Sequence, residues 1–215
     1  AVRDLGRVAM RRAALVVVMD GGGNDGAFNI WRASRARGCY GRVPSTWNLG
    51  IAYTNLGYYT VGIQLRGFQS QCLDLLQVDA GHGGIAEVMM HLAAQGQPNP
   101  AWRARLREYF LSHPAPADAH GIILQPGEEQ DFCASAQAAL EDVVVAAITE
   151  ALANRTAPTV LLTGGVATNP SLCSAICARL GVDVHVPAAV TDNTLGLGSL
   201  WSLHWGQGLR LQQAH

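Results

Sequence analysis

Apolar and polar positions alternate between two kinds of run along this chain, one short and continuous, the other periodic at three and four residues. Residues 13–19 form a short apolar, β-branched run that reads as a buried strand, and 27–32 as its return. Between them lies Asp20-Gly21-Gly22-Gly23-Asn24-Asp25-Gly26, a glycine-rich acidic turn. Gly38 and Pro44 bound what reads as a loop, and 45–62 as a helix with Leu49, Tyr53, Leu56 and Tyr59 at helical spacing. A helix over 85–95 stops at Gly96, and a short amphipathic one spans 102–111 before a Pro/Ala linker. Residues 120–127 are a strand or loop. Residues 128–154 predict a long amphipathic helix with Phe132, Ala136, Leu140, Val144 and Ile148 on its apolar face.

The run 159–163 is again apolar and partly β-branched, which suits a buried strand. Gly164 and Gly165 then make a turn that glycine adopts without steric cost. Asn169 is placed to cap the next helix, with Pro170 in its first turn. Strand, glycine turn and helix start together let a nucleotide or phosphate approach bare backbone. After a strand over 182–186, Thr191-Asp192-Asn193 brings a carboxylate towards the same crevice. Gly196 and Gly198 open a further helix, and a short Trp-bearing helix and polar tail follow.

Composition narrows the function classes. Of the 215 residues, 49% are hydrophobic and 14% charged, enough apolar surface for one sizeable domain or two small lobes. A formal net charge of -1 gives no reason to expect nucleic acid or an anionic membrane as partner. The early arginines (Arg3, Arg7, Arg11, Arg12, Arg32, Arg35, Arg37, Arg42) read as solvated surface, with a phosphate-holding role for a minority. Five cysteines lack a paired C-x-x-C spacing, which fits a reduced, cytoplasmic setting. Cys173 and Cys177 lie one helical turn apart and read as small core fillers rather than metal ligands. No apolar run reaches the ~20 residues of a membrane span, and residues 15–19 are too short for a signal peptide. His82 sits in a turn and His91 on a helix, a spacing that does not put them on one face. Neither a Gly-x-Ser-x-Gly nor a cysteine beside a convincing base is present, so no residue reads as a covalent nucleophile.

Thr163-Gly164-Gly165-Val166-Ala167-Thr168-Asn169 resembles the adenosine-binding turn of actin-like ATPases. The ordered set Gly164 to Asn169, Pro187-Ala188-Ala189, Asp192 and Gly196-Leu197-Gly198 is similar to the O-carbamoyltransferases of nodulation-factor and antibiotic tailoring. The turn at Asp20, Gly21 and Gly23 resembles their phosphate hairpin, with Asn24 where the family carries Glu. The 49–54, 87–96 and 130–137 segments resemble further family elements, with Glu87 in place of the family's Lys and His91 displaced by an extra residue. Asp192 is also similar to the metal-holding Asp of tRNA threonylcarbamoyl-adenosine synthesis proteins.

The resemblance implies an α/β fold, an actin-like ATPase (ribonuclease H-like) lobe with a mixed sheet flanked by helices. It implies nucleotide binding by Gly164, Gly165, Asn169, Asp20, Gly21, Gly23 and Tyr53, with Asp192 on a divalent metal, Fe or Mg. Tyr53 also reads as a core aromatic with a locally bonded hydroxyl, and Asp131 and Gln137 as structural. The implied reaction joins ATP and carbamoyl phosphate into carbamoyl-adenylate, then passes the carbamoyl group to a hydroxyl of a sugar or natural product. It covers 14–203, as one lobe without the family's first, histidine-bearing lobe and C-terminal transfer domain. A partner chain supplying the missing lobe is therefore expected. Two other readings stay open: another actin-like phosphotransferase or ATPase, and a non-catalytic scaffold with a degenerate site.

Overall fold

The computed structural model describes residues 14–20, 27–34, 38–45, 47–65, 76–78, 84–112, 122–152 and 159–186. Its centre is a five-stranded sheet, β1 (Ala14–Met19), β2 (Phe28–Ser34), β3 (Gly38–Ser45), β6 (Thr159–Thr163) and β7 (Asp183–His185). The spatial order is β3-β2-β1-β6-β7. β1, β2 and β3 pair antiparallel, whereas β1, β6 and β7 run parallel. Strand β1 is thus the seam of a mixed sheet; Leu15, Val17 and Met19 line one face and are buried, while Val16 and Val18 on the other face are half-buried. Parallel strands covered on both faces need such continuous apolar sequences, and β6, with Val160, Leu161 and Leu162 buried, supplies another. A separate parallel pair joins β4 (Ile63–Leu65) to β5 (Leu76–Val78). The mixed sheet flanked by helices that the resemblance implies is present.

The residues 38–44 expected as a loop belong to strand β3. Gly38, Gly41 and Pro44 read as turn residues, but β3 is an edge strand, where a missing N–H donor is tolerated. Its pairing with β2 shifts register between Ile30 and Arg32, which absorbs the irregularity.

The helix expected over 45–62 begins later. Asn48 caps α1 (Leu49–Asn55) by accepting from Ile51 N at 3.1 Å. Beyond it, Leu56–Val61 widens into a π-helical turn. The wider turn rotates the side-chain stripe, so Leu49, Tyr53 and Leu56 are buried while Tyr59 is 52% exposed. Helix α2 (Ile85–Ala93) starts where Glu87 receives the Gly84 N–H, the reciprocal bond of a capping box. That bond gives Glu87 a local reason to stand there. Helix α3 (Pro100–Ser112) is opened by Asn99, whose Oδ1 accepts from Ala101 N and Trp102 N.

Helix α4 (Glu129–Leu152) is the internal pillar. Its five expected apolar positions are buried, but it is not amphipathic over its first half: every residue from 132 to 141 is buried. A helix buried on every side must be enclosed, and α2, α3 and α5 (Pro170–Leu180) pack around it. The most apolar window of α4 is long enough to cross a membrane, yet 78% of it is buried within the protein. Arg32 of β2 donates to Ala151 O at 3.1 Å, a cation at the helix C-terminus. This arginine therefore holds a helix end. Residues 122–128 are a loop with a turn at Pro126–Gly127.

Candidate functional site at the ends of the central strands

Strands β1 and β6 end side by side, with Val18 opposite Thr163. In mixed and parallel sheets the crevice beyond such carboxyl ends is where ligands bind. The chain leaves β1 as Asp20 and leaves β6 as Gly164. Gly164 has φ 92° and ψ 168°, a conformation closed to side chains, and a Cβ there would collide with Met19 O. The glycine turn is therefore pressed against the peptide that introduces Asp20. Asp20 N in turn donates to Ala27 O at 2.8 Å, closing the β1–β2 hairpin.

Gly165 is exposed, and a Cβ on it would lie 3.7 Å from Asp20 Oδ1. Bare backbone and a carboxylate thus stand next to each other at the carboxyl ends of β1 and β6. Helix α1 reaches the same point: a Cβ on Gly50 would lie 3.0 Å from Val166 Cγ2 and 3.2 Å from the Asp20 carbonyl. Three segments distant in sequence meet here because two of them carry glycine at the contact.

Residues Gly165–Thr168 form a 3-10 turn, held by Ala167 N donating to Gly164 O at 3.0 Å and Thr168 Oγ1 to Gly165 O at 2.7 Å. Asn169 then caps α5, its Oδ1 accepting from Leu172 N at 3.1 Å, with Pro170 in the first turn as the sequence implied. Asn169 is only 4% exposed. Its Nδ2 donates to Gln137 Oε1 at 2.9 Å, so its amide serves α5 and α4. Tyr53 is also 4% exposed, and its hydroxyl donates to Gln137 Oε1 at 3.2 Å, not to a local partner. Burial raises its pKa well above the ordinary tyrosine value, with the charges of Cys133 and Glu141 adding to the effect. Of the two readings of Tyr53, the core aromatic describes its surroundings.

Gln137 passes the network inward. Its Nε2 donates to Glu141 Oε1 at 2.9 Å, and the same oxygen accepts from Ser171 Oγ at 2.7 Å. Arg179 approaches Glu141 at 3.7 Å and Asp142 at 2.7 Å, while Arg103 grips Asp142 through Nε and Nη2, both at 2.7 Å. The Arg103 hydrogen bonds, seconded by Arg179, hold the Asp142 carboxyl below its ordinary pKa against an opposing effect of burial. Sequence reading identified Gln137 as structural and overlooked Glu141, Asp142, Arg103 and Arg179. The available signal was an acidic pair interrupting the apolar 132–148 stretch.

Other expected residues are dispersed. His91 is exposed on α2, and His82 lies outside the described residues. Cys173 is half-buried, with its Sγ–H directed at Ala167 O at 3.5 Å, whereas Cys177 is exposed and fills no core position. The i, i+4 spacing puts both on one side of α5, but only Cys173 is covered there. Among the described residues no group of three or more His, Cys, Asp or Glu is arranged to hold a metal. Gly21, Gly23, Asn24, Asp192, Pro187-Ala188-Ala189 and the 196–198 helix start lie outside the described residues. A shallow depression of about 270 Å3 is lined by Pro98, Pro100, Arg103, Ala104, Arg107 and Asp142. Its charges Arg103 and Asp142 satisfy each other, and none of the candidate nucleotide residues lines it.

No protein-family model matches the chain, and no curated protein does. Solved structures similar in outline include the following two. One is the ethanolamine utilization protein EutJ from Carboxydothermus hydrogenoformans, at 13% identity and a TM-score of 0.39, over 86% of this chain and 48% of that one. The other is the activator of the 2-hydroxyisocaproyl-CoA dehydratase from Clostridium difficile with bound ADPNP, at 12% identity and a TM-score of 0.38, over 87% of this chain and 60% of that one. The chain spans about half the length of the first and three fifths of the second. Similarity at this level does not carry an activity across.

Proposed function

We propose that this chain is a nucleotide-binding lobe of the actin-like ATPase type, holding ATP against the Gly164–Gly165 turn with the Asp20 carboxylate towards the phosphates. The observation that supports this most is the convergence of exposed Gly165, the Asp20 carboxylate 3.7 Å from its would-be Cβ, and the close approach of Gly50. A bare, exposed backbone step lets a flat ring or a phosphate come closer than any side chain would permit. A carboxylate beside phosphate oxygens repels them unless a cation lies between. Mg²⁺ is commonly held by one or two carboxylates plus phosphate oxygens, and Asp20 suits that role. A tight iron site needs more protein ligands than Asp20 provides; Asp192 and a histidine-bearing partner lobe would have to supply them. When bound, the cation offsets phosphate charge. The protein's own share is to seat the nucleotide and orient its phosphates.

The finer activity in this proposal is formation of carbamoyl-adenylate, in which water releases inorganic phosphate from carbamoyl phosphate and the resulting carbamate displaces pyrophosphate from ATP, for transfer to a hydroxyl of a sugar or natural product. It is supported by the ordered resemblance from Gly164 to Gly198. A general actin-like ATPase or phosphotransferase lobe uses the same Asp20–Gly165 geometry and does not depend on that order. Pyrophosphate release assayed with ATP and carbamoyl phosphate, alone and with a candidate partner lobe, separates the two. Release that requires carbamoyl phosphate supports the carbamoyl reading. ATP hydrolysis indifferent to carbamoyl phosphate would contradict it and leave the broader one.

A further inference from the structure

The hydrogen bonds joining the glycine turn to the interior have a direction, and a carboxylate sets it. Glu141 is 9% exposed, and an ionised carboxylate only accepts hydrogen bonds. Gln137 must therefore present Nε2 to Glu141 Oε1, as it does at 2.9 Å. Its Oε1 then faces the opposite way and receives both the Tyr53 hydroxyl at 3.2 Å and Asn169 Nδ2 at 2.9 Å. With Nδ2 so committed, Asn169 turns Oδ1 to Leu172 N at 3.1 Å, with Gln137 Nε2 also 3.3 Å away. Reversing the Gln137 amide would set oxygen against the carboxylate and one NH2 group against another. Each of these atoms is buried, so none has water as a ready substitute. Asn169 is also the last residue of the turn, its N–H bonded to Val166 O at 3.2 Å.

We propose that Gln137, with its amide oriented by Glu141, is the positioning residue of the nucleotide turn: it sets the direction of the Asn169 side chain and thereby the conformation of residues 164–169. The role rests on the nucleotide reading above. Gln137 touches no ligand; it acts through Asn169. Its position is dictated from the interior, by a carboxylate on the next turn of α4, so the turn's shape is fixed before any ligand arrives.

The test uses Gln137→Met, which keeps side-chain length and removes both polar atoms. Tyr109→Phe is the control, since it removes a buried hydroxyl bonded to Ala52 O at 3.3 Å, outside this chain of bonds. Amide exchange at Leu172 is followed by NMR, and ATP affinity by calorimetry with Mg²⁺. In Gln137→Met, exchange at Leu172 rises about tenfold beyond the change at core amides of β1, and the Kd for ATP rises about tenfold. Tyr109→Phe lowers global stability but changes neither quantity. Should Gln137→Met fail to fold, Glu141→Gln, which frees the amide to reverse, is measured against the same two expectations. Unchanged Leu172 exchange, or an unchanged Kd in a variant of a chain that binds ATP, overturns the positioning role alone. Failure of the unaltered chain to bind ATP overturns the nucleotide reading and this role with it.

Discussion

At Gly164 a side chain has nowhere to go, because φ is 92° and Met19 O fills the space a Cβ would take, whereas one residue later the way is open. Gly164→Ala should therefore cost at least about 3 kcal/mol, combining a backbone region closed to alanine with a backbone clash. Gly165→Ala should stay within about 0.5 kcal/mol of the parent, as surface changes do. Denaturant unfolding of both variants tests the pair, and equal losses would contradict the contrast between the two glycines. The cysteines divide in the same manner. Burial, with Glu129's charge adding, pushes the Cys133 thiol up to about 12, while Cys177 is exposed. Iodoacetamide at pH 8 should label Cys177 within minutes and leave Cys133 unmodified in the folded protein, as peptide mass mapping would show. The turn at Gly164 was legible in the sequence because a glycine pair directly after an apolar, β-branched run marks where a buried strand stops and the chain bends. The burial of Asn169 and Tyr53 was not, since nothing in their spacing names Gln137 as the partner of both.

Among the elements, α4 shows how a periodic pattern conveys only half of a helix's surroundings. Phe132, Ala136, Leu140, Val144 and Ile148 marked one face correctly, and all are buried. The rest of the first half is mostly alanine, cysteine and serine, small enough to accept close packing while adding little to an apolar count, with Gln137 and Glu141 buried among them. Strand β3 was hidden for a related reason: its glycines and proline signal a turn, and only the edge position makes them compatible with pairing. Where α4 meets α3 and α5, the Arg103–Asp142–Arg179 cluster makes stability depend on pH. Asp142's pKa is lower folded than unfolded, so its contribution is complete above the unfolded value of about 4 and is lost as pH falls through the folded value. Asp142→Asn should lower stability at pH 7 by about 1 kcal/mol, the upper end for partly exposed pairs. The same variant should also flatten the slope of stability against pH below about 4. An unchanged slope would show that the cluster is not the source of the acid sensitivity.

For the molecule as a whole, the strand order brings together what the sequence keeps apart. Asp20 follows β1 and Gly165 follows β6, 145 positions further along the chain, yet the parallel pairing of β1 with β6 makes them neighbours. The resemblance implied the mixed sheet, named both residues as candidates and set the 49–54 element near the nucleotide; the contact of Gly50 with Val166 and the Asp20 carbonyl is what the structure adds. The central claim, that this junction seats ATP with a cation at Asp20, is tested most directly by calorimetric titration of the chain with ATP, with and without Mg²⁺. The parent should bind, and more tightly with Mg²⁺. Gly165→Asp, which adds a second carboxylate where the backbone should be bare, should abolish binding, and Asp20→Asn should remove the Mg²⁺ dependence. ATP binding unaffected by either substitution would place the nucleotide elsewhere, and no binding with or without Mg²⁺ would contradict the claim outright.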